Sequence, residues 1–369
     1  MIGQDVLSTA VTRGILQPDQ VTALTALAEE LARAPAPANA EPTPDDEKLR
    51  FISGFNDIFV SIGIALFIGA VILLFGERAG EAATCAAVAA TAWALAELFS
   101  RRRRMALPSI LLLAAFSIST LLGLAWWLSP LIGDAAQAGV VSIEPFVEDT
   151  PAVVVVAALL TCAATALHYW RFRVPITVAA GAGALALAGV GGVLLVAPDW
   201  GFANLTGLLL TGGLLVFALA MHFDLGDLGR TSRRTDIAFW LHLLAASMII
   251  HPVVTAVAGE VSLDDLDSRA AVAILATLAG LSLVALAIDR RAILSAGLIY
   301  AGFAFYALID KAGFASGTFI PSTFGLSALA LGAYVLAISI MWRPLRNGLL
   351  RLLPEGVARR LPRPVLSRA

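Results

Sequence analysis

Ionisable side chains inside apolar sequence are the residues here that could do chemistry, and they are few. Asp57 opens one apolar stretch, in Phe55-Asn56-Asp57-Ile58, and Asp236 opens another, in Thr235-Asp236-Ile237. His242 lies further into the second stretch, and His251 stands near its far end beside Pro252. An ionisable group held within a membrane is costly, so such groups are functional candidates by default. Asp57, Asp236 and His242 are accordingly read as a candidate polar pocket, open to the cytoplasm, in which His242 binds a ligand or handles a proton near neutral pH. Each also has a plainer reading. An acidic residue near a helix N-terminus is stabilised by the helix dipole, and a buried imidazole can be satisfied by a neighbouring helix. Glu97, His168 and His222 fall near the ends of apolar stretches.

Other chemistries find no support. At 100° per residue, His242 and His251 face opposite sides of one helix and cannot chelate a single metal from it. Cys85 and Cys162 lie in apolar runs without metal-ligand spacing and read as small packing residues. No HExxH, CxxC, phosphate-loop or dinucleotide motif occurs in a suitable context. No catalytic residue, metal or cofactor is therefore assigned, and no Asp, Glu, Lys or Arg is placed at mid-bilayer.

The elements that must position these residues follow from composition. Of the 369 residues, 59% are hydrophobic and 14% charged, and the mean hydropathy is +0.85. Soluble domains carry about 25% charged residues. That much apolar surface requires lipid to cover part of it. Apolar runs long enough to cross a hydrocarbon core of about 30 Å fall near 55–75, 82–99, 106–129, 151–169, 174–197, 203–222, 237–258, 270–288, 292–309 and 321–342. Lipid leaves no partner for an open strand edge, so these are helices. The predicted fold is an all-α polytopic transmembrane bundle of about ten spans. The break between the first two spans is the weakest, with only Gly76 to Glu81 between them.

Before the bundle, residues 1–33 read as a small cytoplasmic helical hairpin. Val6, Leu7, Ala10 and Val11 share one face, and Val21, Leu24, Leu27, Ala28 and Leu31 another, with Gly14 and Pro18 between. Residues 34–47 are a Pro- and Ala-rich acidic linker. Met1 to Val11 lack a positive n-region and an apolar h-region, so no signal peptide is expected. Residues 48–342 form the bundle and residues 343–369 a basic tail. The tail mixes leucine with arginine and reads either as an amphipathic segment on an anionic leaflet or as a solvated positive tail.

Charge orients the spans. Arg101 to Arg104, Arg171 and Arg173, then Arg230, Arg233 and Arg234, then Arg290 and Arg291, and the tail arginines all fall in alternate connections. The other connections carry Glu144, Glu148, Asp149, Glu260, Asp264, Asp265 and Asp267, with only Arg78, Arg269 and Lys311. The positive-inside rule then puts both termini in the cytoplasm. Losing one span would place basic loops on both sides. Lysine is nearly absent, which points to a GC-rich bacterial genome and thus to a bacterial inner membrane. Arg103-Arg104-Met105-Ala106-Leu107 and Arg290-Arg291-Ala292-Ile293-Leu294 are similar, as are the openings at Asp57 and Asp236, six helices apart. Duplicated halves are common in transporters.

The N-terminal Leu7 to Leu16 segment, the Pro-rich linker and the many spans, together with Arg50 to Asp57 and Asp236 to Leu244, resemble bacterial multi-pass membrane proteins classed as domains of unknown function. The resemblance implies an integral membrane location and transfers no catalytic residue. Three functional readings follow. The first is a non-enzymatic, permease-like carrier or small-molecule-responsive membrane component. The second is a membrane-anchored scaffold or assembly factor acting through the hairpin and the basic tail. The third is a lipid-acting enzyme with Asp57, Asp236 and His242 as its acid–base groups. The expected partners are the lipid bilayer, a small-molecule ligand, and a second copy or another protein. Nucleic acid is not expected.

Overall fold

The structure, a computed structural model, describes residues 12–22, 55–132, 147, 150–227, 232–259, 266–313 and 322–352. The chain divides into two units, one comprising Met1–Glu47 with Val365–Ala369 and the other Lys48–Pro364. In the first unit, Gly14 has a φ of 70° and a helical stretch opens at Pro18. The backbone N–H of Gln17 donates to Gln20 Oε1 at 2.9 Å. The remainder of the expected hairpin, the linker, the acidic loop residues Glu144, Glu148, Asp149, Glu260, Asp264 and Asp265, and the tail beyond residue 352 lie outside the described residues.

The second unit is all helical among the described residues. Its elements are α1 (Phe55–Ala79), α2 (Glu81–Ala96) with a π-helical end (Glu97–Arg102), α3 (Ala106–Ile132), α4 (Pro151–Phe172), α5 (Ile176–Val196), the short α6 (Pro198–Ala203), α7 (Leu205–Leu225), α8 (Arg233–Ala258), α9 (Ser268–Ile288), α10 (Ala292–Lys311) and α11 (Thr323–Leu352). Ten of these are long and apolar enough to cross a membrane. The protein is an integral membrane protein, and the outward Phe59, Leu66, Leu73, Leu215, Leu336 and Ile340 face the bilayer's hydrocarbon.

Local chemistry sets the ends. One residue, Gly80 at φ 77°, separates α1 from α2. A side chain there would be strained, and glycine is not. Ser232 caps α8 by accepting from the Arg234 N–H at 3.3 Å, and Asp267 caps α9 through the Ala270 N–H at 2.7 Å. Pro151 opens α4, where its missing N–H would have been unpaired anyway. The helix α8 begins at Arg233 rather than 237, so Asp236 sits in its first turn.

Burial ranks the spans. The most hydrophobic windows of α8, α1 and α11 are 56%, 17% and 6% buried. Thus α8 is the central element, and the other two border lipid. It packs on α5, α7, α9 and α10. Both α1–α2–α3 and α8–α9–α10, which open on Asp57 and Asp236 respectively, pack as triplets in which every pair touches. The helix of the last span does not stop near 342. It runs on to Leu352, and Arg346, one turn beyond Trp342, is 2% exposed. The first part of the basic tail is therefore built into the bundle, because both side chains reach the same carboxylate, described below.

Candidate functional site: an arginine-lined cavity

The arginine-rich connections converge at one end of the bundle and enclose a cavity of about 580 Å³. Its wall comes from the π-helical end of α2, the start of α3, the α4–α5 connection and the first turns of α8. Among the described residues its lining includes four arginines, Arg101, Arg104, Arg173 and Arg233, all exposed, and one acidic residue, the half-buried Asp236. Phe172, Ile110 and Trp240 supply apolar wall. Among the described residues no ion pair joins Arg104 or Arg173 to a carboxylate. Arg101 is paired with Glu97 at 3.2 Å on its own helical end. Glu97 in turn holds Arg171 of α4, with Nε at 2.8 Å and Nη2 at 2.9 Å. This bidentate pair fixes the α2 end against α4.

Two further features favour negative charge. The helices α3, α5 and α8 all begin at the cavity, at Ala106, Ile176 and Arg233, and helix starts present unpaired N–H groups and positive dipole ends. Ser100, 7% exposed, lies on the wall, and its Oγ has no hydrogen-bond partner among the described residues. The backbone is also unusual here. Arg104 and Arg173 have φ of 52° and 57°, in the left-handed region. That conformation costs an L-residue roughly 1–2 kcal/mol, and such strain clusters at functional sites. A π-helical turn, as at Glu97–Arg102, is likewise rare and frequent at functional sites.

Behind this cavity lies a buried ionic group. Asp224, near the end of α7, accepts from Arg290 Nε at 3.0 Å, and Arg290 Nη2 bonds its other oxygen. His242 Nε2 of α8 stands 3.4 Å from Asp224 Oδ2. Arg290 and His242 are both 0% exposed. The neighbouring residue Asp289, in the left-handed conformation that ends α9, accepts from Trp342 Nε1 at 2.9 Å and lies 3.6 Å from Arg346 Nε. Arg291 covers the Trp342 ring at 5.3 Å. Three consecutive residues of the α9–α10 connection thus tie together α7, α8 and α11.

The sequence candidates separate accordingly. Asp236 lines the cavity, and His242 belongs to the ionic group behind it. Asp57, 1% exposed in the first turn of α1, lines neither this cavity nor the apolar one described below. Of the other histidines, His168 is boxed by Trp93, Phe116 and Phe172 with Nδ1 3.3 Å from Thr177 Oγ1, and His251 Nδ1 meets Tyr300 Oη at 2.7 Å. Among the described residues no three His, Cys, Asp or Glu side chains are grouped to hold a metal. Sequence reasoning missed Asp224 and Arg290 as partners. They are 66 positions apart, and each reads as ordinary charge beside a span.

A second, apolar cavity of about 590 Å³ runs between α4, α5 and α7. Cys162, Thr165, Tyr169, Gly189, Thr211 and Leu215 are among its walls. Comparison of the chain with family models, with curated proteins and with solved structures finds no match.

Proposed function

We propose that this integral membrane protein binds an anionic small molecule in the arginine-lined cavity, and works as a permease-like carrier or ligand-responsive membrane component. In this reading the arginine-rich end faces the bacterial cytoplasm, as the positive-inside rule requires, and Asp57, Asp236 and His242 contribute at that end of the bundle. The observation that carries the reading is four arginines and, among the described residues, one acidic residue on the wall of a single cavity at a point where three helices begin. Arg104 and Arg173 offer forked donors that match carboxylate and phosphate oxygens, and Ser100 Oγ supplies a further neutral donor. Phe172 and Trp240 supply apolar wall beside these groups. Asp236 stands one turn from Arg233 on the same helix, which leaves the other arginines of the wall for a ligand. The buried Asp224–Arg290–His242 group holds α7, α8 and the α9–α10 connection in one arrangement behind the site.

A thermal-shift panel on the purified protein in nanodiscs of zwitterionic lipid tests the reading. Inorganic phosphate, pyrophosphate, dicarboxylates and nucleotides are compared with matched neutral and cationic solutes. A ligand at about 100 times its Kd stabilises the folded state by about 2.7 kcal/mol. At least one anion should raise the melting temperature of the wild type and fail to do so in the Arg104→Ala/Arg173→Ala variant. Equal responses to anions and neutral solutes would defeat the proposal.

A further inference from the structure

The arginine-lined and apolar cavities meet the same hairpin. Phe172 to Ile176, at the α4–α5 turn, line the first. Tyr169, Thr177 and Val178, immediately before and after that stretch, line the second. Tyr169 and Val178 also pack against the same buried cluster, including Val216 and Leu241, that Trp240 of the arginine-lined wall packs against. The two hollows thus share the α4–α5 hairpin and one buried cluster. The apolar cavity lies along the bundle's side, where its walls include the outward Leu185 and Leu215, so it opens toward lipid tails. The arginine-lined cavity lies at the bundle's end, where headgroups lie.

Resting on the anion-binding reading above, we infer that the ligand is an anionic amphiphile bearing a phosphate group, such as an anionic phospholipid. Its phosphate sits among Arg104, Arg173 and Ser100, and one acyl chain lies in the α4–α5–α7 crevice. The vertical order of the two hollows matches the order of head and tail in a leaflet. Their chemistry matches too, since basic pockets between transmembrane helices select anionic headgroups. Apolar walls of this extent stabilise a chain in proportion to the area they cover. A free phosphate ester would use the first cavity alone, and a zwitterionic lipid would lack the net charge that the guanidinium groups select.

The test uses the full chain, delipidated in neutral detergent, with phosphatidylglycerol, phosphatidylcholine and glycerol 3-phosphate as probes and the melting temperature as readout. Gly189 lies on the crevice wall and a Cβ there meets no atom within 4 Å, so Gly189→Leu is the variant chosen to fill the crevice. Thr211→Phe narrows it from the α7 side should the first variant not fold. Phosphatidylglycerol should stabilise the wild type at concentrations roughly tenfold or more below those needed for glycerol 3-phosphate, and phosphatidylcholine should not stabilise it. The crevice variants should lose that advantage while still responding to glycerol 3-phosphate. Equal potency of phosphatidylglycerol and glycerol 3-phosphate, with crevice variants unaffected, would overturn the amphiphile and leave the anion site standing. No response to either anion would overturn both.

Discussion

Among the described residues Arg290 carries the largest fully buried side chain, and its guanidinium is neutralised across 66 positions of sequence by Asp224. Removing one member of such a pair leaves an uncompensated buried charge, which costs about 3–5 kcal/mol. Arg290→Met should therefore lower the stability of the detergent-solubilised protein by that order, while Asp224→Leu/Arg290→Met should recover much of the loss. Unfolding curves of the two single variants and the double variant measure the coupling. Additive losses would show that the pair does not hold the bundle. The same residues mark the limit of sequence reading. Asp236 was legible as a first-turn acid because helix starts favour carboxylates. Asp224 and Arg290 were not, because local sequence says nothing about which span-end charges meet in space.

At the scale of elements, α8 is central because α7 can approach it closely. A Cβ at Gly213 would stand 2.9 Å from Ile249 Cγ1 and 3.0 Å from Met248 Cβ. Gly213→Ala should destabilise by about 1–3 kcal/mol through overpacking. On the same helix Gly207 meets no atom within 4 Å, and Gly207→Ala should stabilise by about 0.5–1 kcal/mol through helix propensity. Melting temperatures of the two variants in one detergent compare them directly, and a shift of the same sign in both would contradict the packing assigned to α7 and α8. The spans were legible from apolar run length, and even the doubtful break at GERAGE resolves to one glycine in the left-handed region. The course of α11 was less legible. Its arginines beyond residue 342 resemble a surface tail in sequence, yet Arg346 and Trp342 fall one turn apart and both reach Asp289.

At the scale of the molecule, the alternation of basic connections brings Arg101, Arg104, Arg173 and Arg233 to one end. The orientation proposed for that end predicts that alkaline phosphatase fused after Arg102 is inactive and that a cytoplasmic reporter there is active; the reverse pattern would invert the account. The sequence showed these arginines as topology signals. That they also enclose a cavity depends on three connections converging, which no single segment encodes.

The most direct test of the central claim is calorimetric titration of the most stabilising anion into the wild type, Arg104→Ala/Arg173→Ala and Arg102→Ala/Arg103→Ala. Arg102 and Arg103 are exposed, as Arg104 and Arg173 are, but do not line the cavity, so the last variant removes equal charge nearby. Each charge-assisted contact is worth about 1.5 kcal/mol or more, so the cavity variant should bind roughly a hundredfold more weakly. The control should bind nearly as the wild type does. Equal weakening in both variants would mean that diffuse surface charge, and not this cavity, attracts the anion.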